Sequence, residues 1–184
     1  MALAAALLIG LLTPFMVFDP HVRSESAELR ALVREGVQQS RTLSALVDRL
    51  QSSDVVVYLE YEYAPPHDVA GAVTFLSAAG GRRYLRIRIR WDLLRRQQLA
   101  ILGHELRHAI EIAESPDVVD SPSLAARYRR IGVESSSRRW CFDTDAAVET
   151  GWRVHAELSG NRSTESLQRR HKSLPGMSSG EGIH

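Results

Sequence analysis

Hydrophobic and polar positions repeat with different periods along this chain, and each change of period marks an element. Between Ser24 and Gln51, Leu29, Leu32, Val33, Val37, Leu43, Leu46, Val47 and Leu50 recur at three- and four-residue spacing. That period predicts one long amphipathic helix, weakened midway by Gly36 and ended by Ser52-Ser53-Asp54. From Asp54 to Tyr63 the chain is rich in Val and Tyr, which predicts a strand stopped by Pro65-Pro66. Ala72 to Ala78 reads as a second strand, with a turn at Gly80-Gly81. Arg83 to Trp91 is the clearest strand, since Leu85, Ile87, Ile89 and Trp91 alternate with Arg86, Arg88 and Arg90. One of its faces packs on a core and the other is strongly basic. The Gly-Gly link predicts an antiparallel hairpin for these last two strands.

The helical period then returns. Asp92 stands where an N-cap belongs, and Leu93, Leu99, Ile101, Leu102, Ala109, Ile110 and Ile112 carry a helix to about Glu114, before Pro116. Ser121-Pro122 opens another helix, with Ser as cap and Pro at its first position, and Gly132 closes it. A polar loop over 134–139 precedes a final helix from about Asp143 to Leu158. Beyond Gly160 the chain is polar and rich in Ser, Gly and Arg, a composition expected to stay disordered.

At the other end, Met1 to Phe18 carries no charged side chain. The segment reads as an apolar membrane anchor or an export signal, which puts the protein in the cell envelope. Arg23 and Arg30 follow directly, and by the positive-inside tendency they oppose export of the domain. The expected organisation is an apolar segment over 1–23, one folded domain over 24–159 and a polar tail over 160–184. A chain of 184 residues with 44% hydrophobic and 24% charged residues suits one domain with a real core. The net charge of +1 argues against nucleic acid as a partner. Cys141 is the single cysteine, so no internal disulfide can form, and it reads as a small buried apolar residue.

The chemistry lies in Gly103-His104-Glu105-Leu106-Arg107-His108-Ala109, an H-E-x-x-H pattern. Residues four apart share a helix face, so the two imidazoles can point at one metal ion. Glu105 falls on the flank of that face, where it can act as a general base without being a ligand. Zinc would lower the pKa of a bound water to about 7, and the Glu would take its proton. The surrounding helix is too apolar for a surface helix, and burying two His and a Glu there without partners would be costly.

With this order of elements and this motif, the chain from roughly Asp54 to Leu158 resembles the zincin metallopeptidases, and more narrowly the gluzincins. The resemblance implies an α+β fold: a small, mostly antiparallel three-stranded sheet packed on the metal-binding helix, with further helices. It implies a Zn2+ cofactor, peptide-bond hydrolysis and a peptide or protein substrate. It also implies a third ligand on a later helix, often in an E-x-x-A pattern. The matching position is Asp143 in Asp143-Thr144-Asp145-Ala146-Ala147, an Asp where the pattern has Glu. A metzincin arrangement is excluded, because the required Gly is missing and Glu114 stands where the third His would be.

Asp143 reads equally well as an N-cap of the final helix. Glu149 is its rival as ligand, on a face with Val148, Trp152 and Ala156 where an unpaired carboxylate would be expensive, unless it pairs with Arg153. Asp145 is a third candidate. Glu111 shares the face of the two His and reads as orienting a ligand or pairing with Arg107. His155 reads as a surface or core residue and His67 as a loop residue. Tyr128 has the chemistry to stabilise an oxyanion, but nothing in the sequence brings it to the metal. In zincins an edge strand binds extended peptide; here Arg86, Arg88 and Arg90 read better as a solvated, aggregation-resistant edge. The alternatives to a peptidase are a non-catalytic zincin-like binding or structural domain, and an anion-binding module built on the Arg-rich strand.

Overall fold

The computed structural model describes residues 20–64, 69–134 and 142–172. The apolar segment 1–18, the Pro65-Pro66 stop, His67, Cys141, the loop 135–139 and the tail from 173 lie outside the described residues. Among the described residues the chain is α+β. Its elements are β1 (Val22–Arg23), α1 (Ala27–Gln39), α2 (Arg41–Gln51), β2 (Val55–Glu62), β3 (Gly71–Ala79), β4 (Arg82–Arg90), α3 (Arg95–Ala113), α4 (Ser121–Ile131), β5 (Val133–Glu134), β6 (Phe142–Asp143) and α5 (Asp145–Lys172).

The main sheet is four-stranded and mixed, in the order β1-β2-β4-β3, which corrects the expected three-stranded, mostly antiparallel sheet. β1 pairs parallel to β2 and β2 parallel to β4, while β3 is antiparallel to β4. The physical reason is the order of the strands: β3 folds back on the outer side of β4 and leaves β2 and β4, which run the same way, as neighbours. The predicted β3–β4 hairpin is present. Its turn uses Gly80 and Gly81 at φ 58° and 74°, the left-handed values that a two-residue hairpin demands.

β4 is therefore a central strand rather than an edge. Leu85, Ile87 and Ile89 are fully buried, as the alternation predicted. Its outward Arg86 and Arg88 face Glu60 and Glu62 across β2, so the basic face is paired: Arg86 Nε lies 3.3 Å from Glu60 and Arg88 Nη1 3.2 Å from Glu62. Trp91 lies past the end of the strand and is 52% exposed, not in the core. Arg83, by contrast, shares the core face. Its guanidinium holds Asp54 through two contacts of 2.7 Å and donates to the carbonyls of Ile112 (2.7 Å), Ala113 (3.1 Å) and Ser115 (2.7 Å). These carbonyls belong to the last turn of α3 and the turn that follows it, where a helix end leaves acceptor capacity to fill.

The predicted long N-terminal helix is two helices. Ser40 is extended (φ −130°, ψ 120°), ends α1 and caps α2 by accepting from Leu43 N at 3.1 Å. Glu157 of α5 fixes the break by accepting from Ser40 Oγ (2.5 Å) and Thr42 Oγ1 (2.8 Å). Gly36 does not break the helix; it is buried against Leu43 and Leu99.

α3 begins at Arg95 rather than after Asp92. The Asp92 carboxylate is held by Arg90 at 3.0 and 2.9 Å, and Gln97 Oε1 accepts from Leu94 N at 3.0 Å at the helix start instead. α4 starts as expected, with Asp120 rather than Ser121 as its cap (Ser123 N to Asp120 Oδ1, 2.8 Å). α5 continues past the expected end at Leu158 to Lys172. α3 runs through the middle of the core, with Leu99, Leu102, Leu106 and Ile110 buried among Leu29 and Leu32 of α1, Leu43 and Leu50 of α2, and the inner face of the sheet. From Gln98 to Ala113 every residue is buried or half-buried, and the buried ionisable ones among them, Glu105, His108 and Glu111, are gathered at the site described below.

Candidate metal centre

His104 and His108 lie one turn apart on α3, with ring centroids 4.9 Å apart. Asp143 comes to them from outside α3. It pairs with Val133 in the two-residue ribbon β5–β6, directly ahead of α5. Its Oδ1 lies 3.2 Å from His104 Nε2 and 3.6 Å from His108 Nε2. One ligand atom from each of the three side chains falls within 4.8 Å of the others. Atoms bonded to a tetrahedral zinc at about 2.0–2.1 Å stand roughly 3.3–3.4 Å apart, and the two measured separations bracket that value.

The cap reading of Asp143 has a structural answer. Thr144 caps α5, its Oγ1 accepting from Ala147 N at 3.1 Å. Asp143 Oδ1 takes a hydrogen bond from Thr144 N at 2.9 Å and faces the two imidazoles. The short Asp side chain reaches them because it leaves an extended residue beside the site rather than a helical turn. Asp145 is exposed at the start of α5. Glu149 is also exposed, on an outer flank of α5 with Arg153 Nη2 at 2.5 Å. Neither converges on the His pair, and the apolar setting expected for Glu149 is absent. His155 is half-buried and outside the cluster.

Glu111 supports the pair, as its position on the shared face suggested. Its Oε2 is 3.0 Å from His108 Nδ1. A carboxylate only accepts there, so Nδ1 carries a hydrogen, and Nε2 is the nitrogen turned toward Asp143 that becomes a ligand atom once it gives up its proton. Glu111 Oε1 accepts from Thr144 Oγ1 at 2.8 Å, so the residue that caps α5 is tied to the residue that orients His108. Arg107 Nε is farther off, at 3.6 Å. Tyr128 of α4 packs its ring edge-on to His108 at 5.2 Å, with its hydroxyl 3.3 Å from His108 O and 3.4 Å from Glu111 Oε2. Tertiary structure alone brings Tyr128 and Thr144 to the site, since they lie 20 and 33 residues from their partners.

The charges are tightly linked. Burial alone lowers the pKa of His108, but the Asp143 and Glu111 carboxylates outweigh it and push the value up to about 9. Burial opposes ionisation of Asp143, yet the two His hold it well below the usual carboxylate range. Two imidazoles and an anionic carboxylate facing one another are a donor set that a divalent cation suits. Asp143 is half-exposed and His104 partly so, which leaves a solvent-facing side.

Glu105 sits beside this cluster and is 5% exposed. Burial raises its pKa, His108 and His104 pull it back, and Asp143 adds to the rise. Among the described residues no group donates a hydrogen bond to its carboxylate. Gly71, the first residue of β3, makes room for it: a Cβ there would come within 2.5 Å of Glu105 Oε1.

No family model, curated protein or solved structure matches the chain.

Proposed function

We propose that this chain is a zinc-dependent peptidase of the zincin type, with a gluzincin-like site in which Asp takes the place of the usual Glu. The observation that carries this reading is the convergence of Asp143 Oδ1 on both imidazoles, at 3.2 and 3.6 Å. His104, His108 and Asp143 would hold the ion, and three protein ligands leave a fourth position for water. A zinc ion held there supplies a Lewis acid, polarising a carbonyl and bringing the pKa of its water to about 7.

The remaining work falls to the protein. Glu111 holds His108 in the tautomer that turns Nε2 to the site. Glu105 accepts a proton from the attacking water and returns it to the leaving amine, and its burial raises its basicity for that task. Among the described residues β3 pairs only with β4 and is an edge of the sheet, so its outer backbone groups can bind an extended peptide as an added strand. Its first residue, Gly71, touches Glu105, which brings such a peptide alongside the base.

We also propose that the apolar segment 1–18 anchors or exports the domain. Among the described residues no helix is long and apolar enough to cross a membrane.

Glu105→Gln tests the reading. The variant should keep its zinc and lose peptide hydrolysis by at least about 100-fold, the low end of general-base contributions. Unchanged hydrolysis would remove Glu105 from the mechanism. A wild-type protein that binds zinc but cleaves no peptide in a diverse library would instead be a non-catalytic zincin-like domain.

A further inference from the structure

A cleft of about 420 Å³ opens between α2 and α5, with Arg107 of α3 also in its lining. Four guanidinium groups line it, from Arg41 and Arg49 of α2, Arg107 of α3 and Arg153 of α5, against a single lining carboxylate, Glu149. The gathering comes from tertiary structure, since these arginines are scattered over 113 positions of a chain whose net charge is only +1.

Nearby acids neutralise the group only in part. Glu149 is engaged by Arg153, and Glu157, outside the lining, also feels the Arg153 charge but is held by Ser40 and Thr42. Glu114, outside the lining, is shared between Arg49 and a longer contact of 3.9 Å to Arg107. Glu111, 3.6 Å from Arg107, is already held by His108 and Thr144. Arg41 has no ion-pair partner among the described residues. Ala45, Leu46 and Ala146 add apolar surface between the charges.

We propose that this cleft binds a phosphate group. Planar guanidinium forks match phosphate oxygens bidentately, and several forks around one cavity suit a dianion better than a single carboxylate. The cavity exceeds the size of a free phosphate ion, and its apolar surface can take the organic body of a small phosphomonoester. The site is separate from the metal centre. Arg107 alone among its lining arginines also approaches Glu111, and the test therefore leaves Arg107 intact.

The experiment is calorimetric titration of the full chain with inorganic phosphate and, in parallel, with phosphoserine, at two salt concentrations. Wild type should bind, with an affinity that falls as salt rises. Arg41→Ala/Arg153→Ala should bind at least tenfold more weakly while its thermal unfolding midpoint and zinc content stay unchanged. Arg41→Glu should bind more weakly still than Arg41→Ala. Tighter binding of phosphoserine would assign the site to an organic phosphate, and tighter binding of inorganic phosphate to the free ion; either ranking supports the proposal. Equal affinity in wild type and the double variant, or a wild-type response no greater than that to chloride at equal ionic strength, would overturn it.

Discussion

His108 Nδ1 lies 3.0 Å from Glu111 Oε2, and this contact orients the second imidazole of the H-E-x-x-H sequence. Without it the buried imidazole is free to carry its hydrogen on either nitrogen. Glu111→Gln keeps the shape but removes the charge that favours the Nδ1–H tautomer. The expected result is zinc affinity about 10–100-fold weaker, the usual cost of losing such a support. Competition with a chromophoric chelator measures it, and an unchanged affinity would reduce Glu111 to a packing role.

Gly71 governs the position of Glu105. An added Cβ would meet Glu105 Oε1 at 2.5 Å and Ile101 Cγ2 at 2.6 Å, so the Glu side chain must move. Positive φ among the described glycines is confined to Gly80 and Gly81, so alanine at position 71 meets no backbone strain. Gly71→Ala should therefore retain zinc and lose kcat by on the order of 100-fold, the cost of a displacement near 1 Å at a reacting group. Steady-state kinetics beside metal analysis checks this. Full activity would mean that Glu105 has space the structure does not indicate.

Arg83 should prove the most consequential surface-type residue in the core. Its side chain is 6% exposed and joins Asp54 to the end of α3. Breaking a buried pair from one side costs about 3–5 kcal/mol, and because Asp54 is 42% exposed and can rehydrate, Arg83→Met should fall near the lower end, at about 3 kcal/mol. Urea denaturation gives the number.

The same pair predicts an acid-side signature. The Arg83 hydrogen bonds lower the pKa of Asp54 from its ordinary 3.8. The unfolded chain therefore binds the proton first on acidification. The contribution is complete above the unfolded pKa and disappears as pH falls through the lower, folded one. Wild-type stability should drop across that window, and Arg83→Met should drop less steeply. Equal slopes would mean that Asp54 gains nothing from the pair.

The parts of the fold that the sequence reveals are those encoded by neighbours. The β4 alternation from Leu85 to Ile89 and the helical period of α3 act locally, and both elements form, with β4 ending before Trp91 and α3 starting later than the expected Asp92 cap. The His pair was legible for the same reason, since His104, Glu105 and His108 lie within five residues. What was not legible depends on distant partners. Ser40 breaks the first helix because Glu157, 117 residues away, holds it. β1 has two residues, too few to carry a period, and the parallel pairing of β2 with β4 follows from where β3 folds. Asp143 could be matched only by resemblance, because its own sequence fits a cap equally well; Thr144 as the actual cap removes that second reading.

The central claim is that Asp143 completes a metal site with His104 and His108. Zinc content by mass spectrometry of purified wild type, Asp143→Ala and Glu149→Ala, after dialysis against a weak chelator, tests it most directly. The account predicts about one zinc per chain in wild type and in Glu149→Ala, and strong depletion in Asp143→Ala. A wild type without metal, or an Asp143→Ala protein that holds zinc as tightly as wild type, would contradict it.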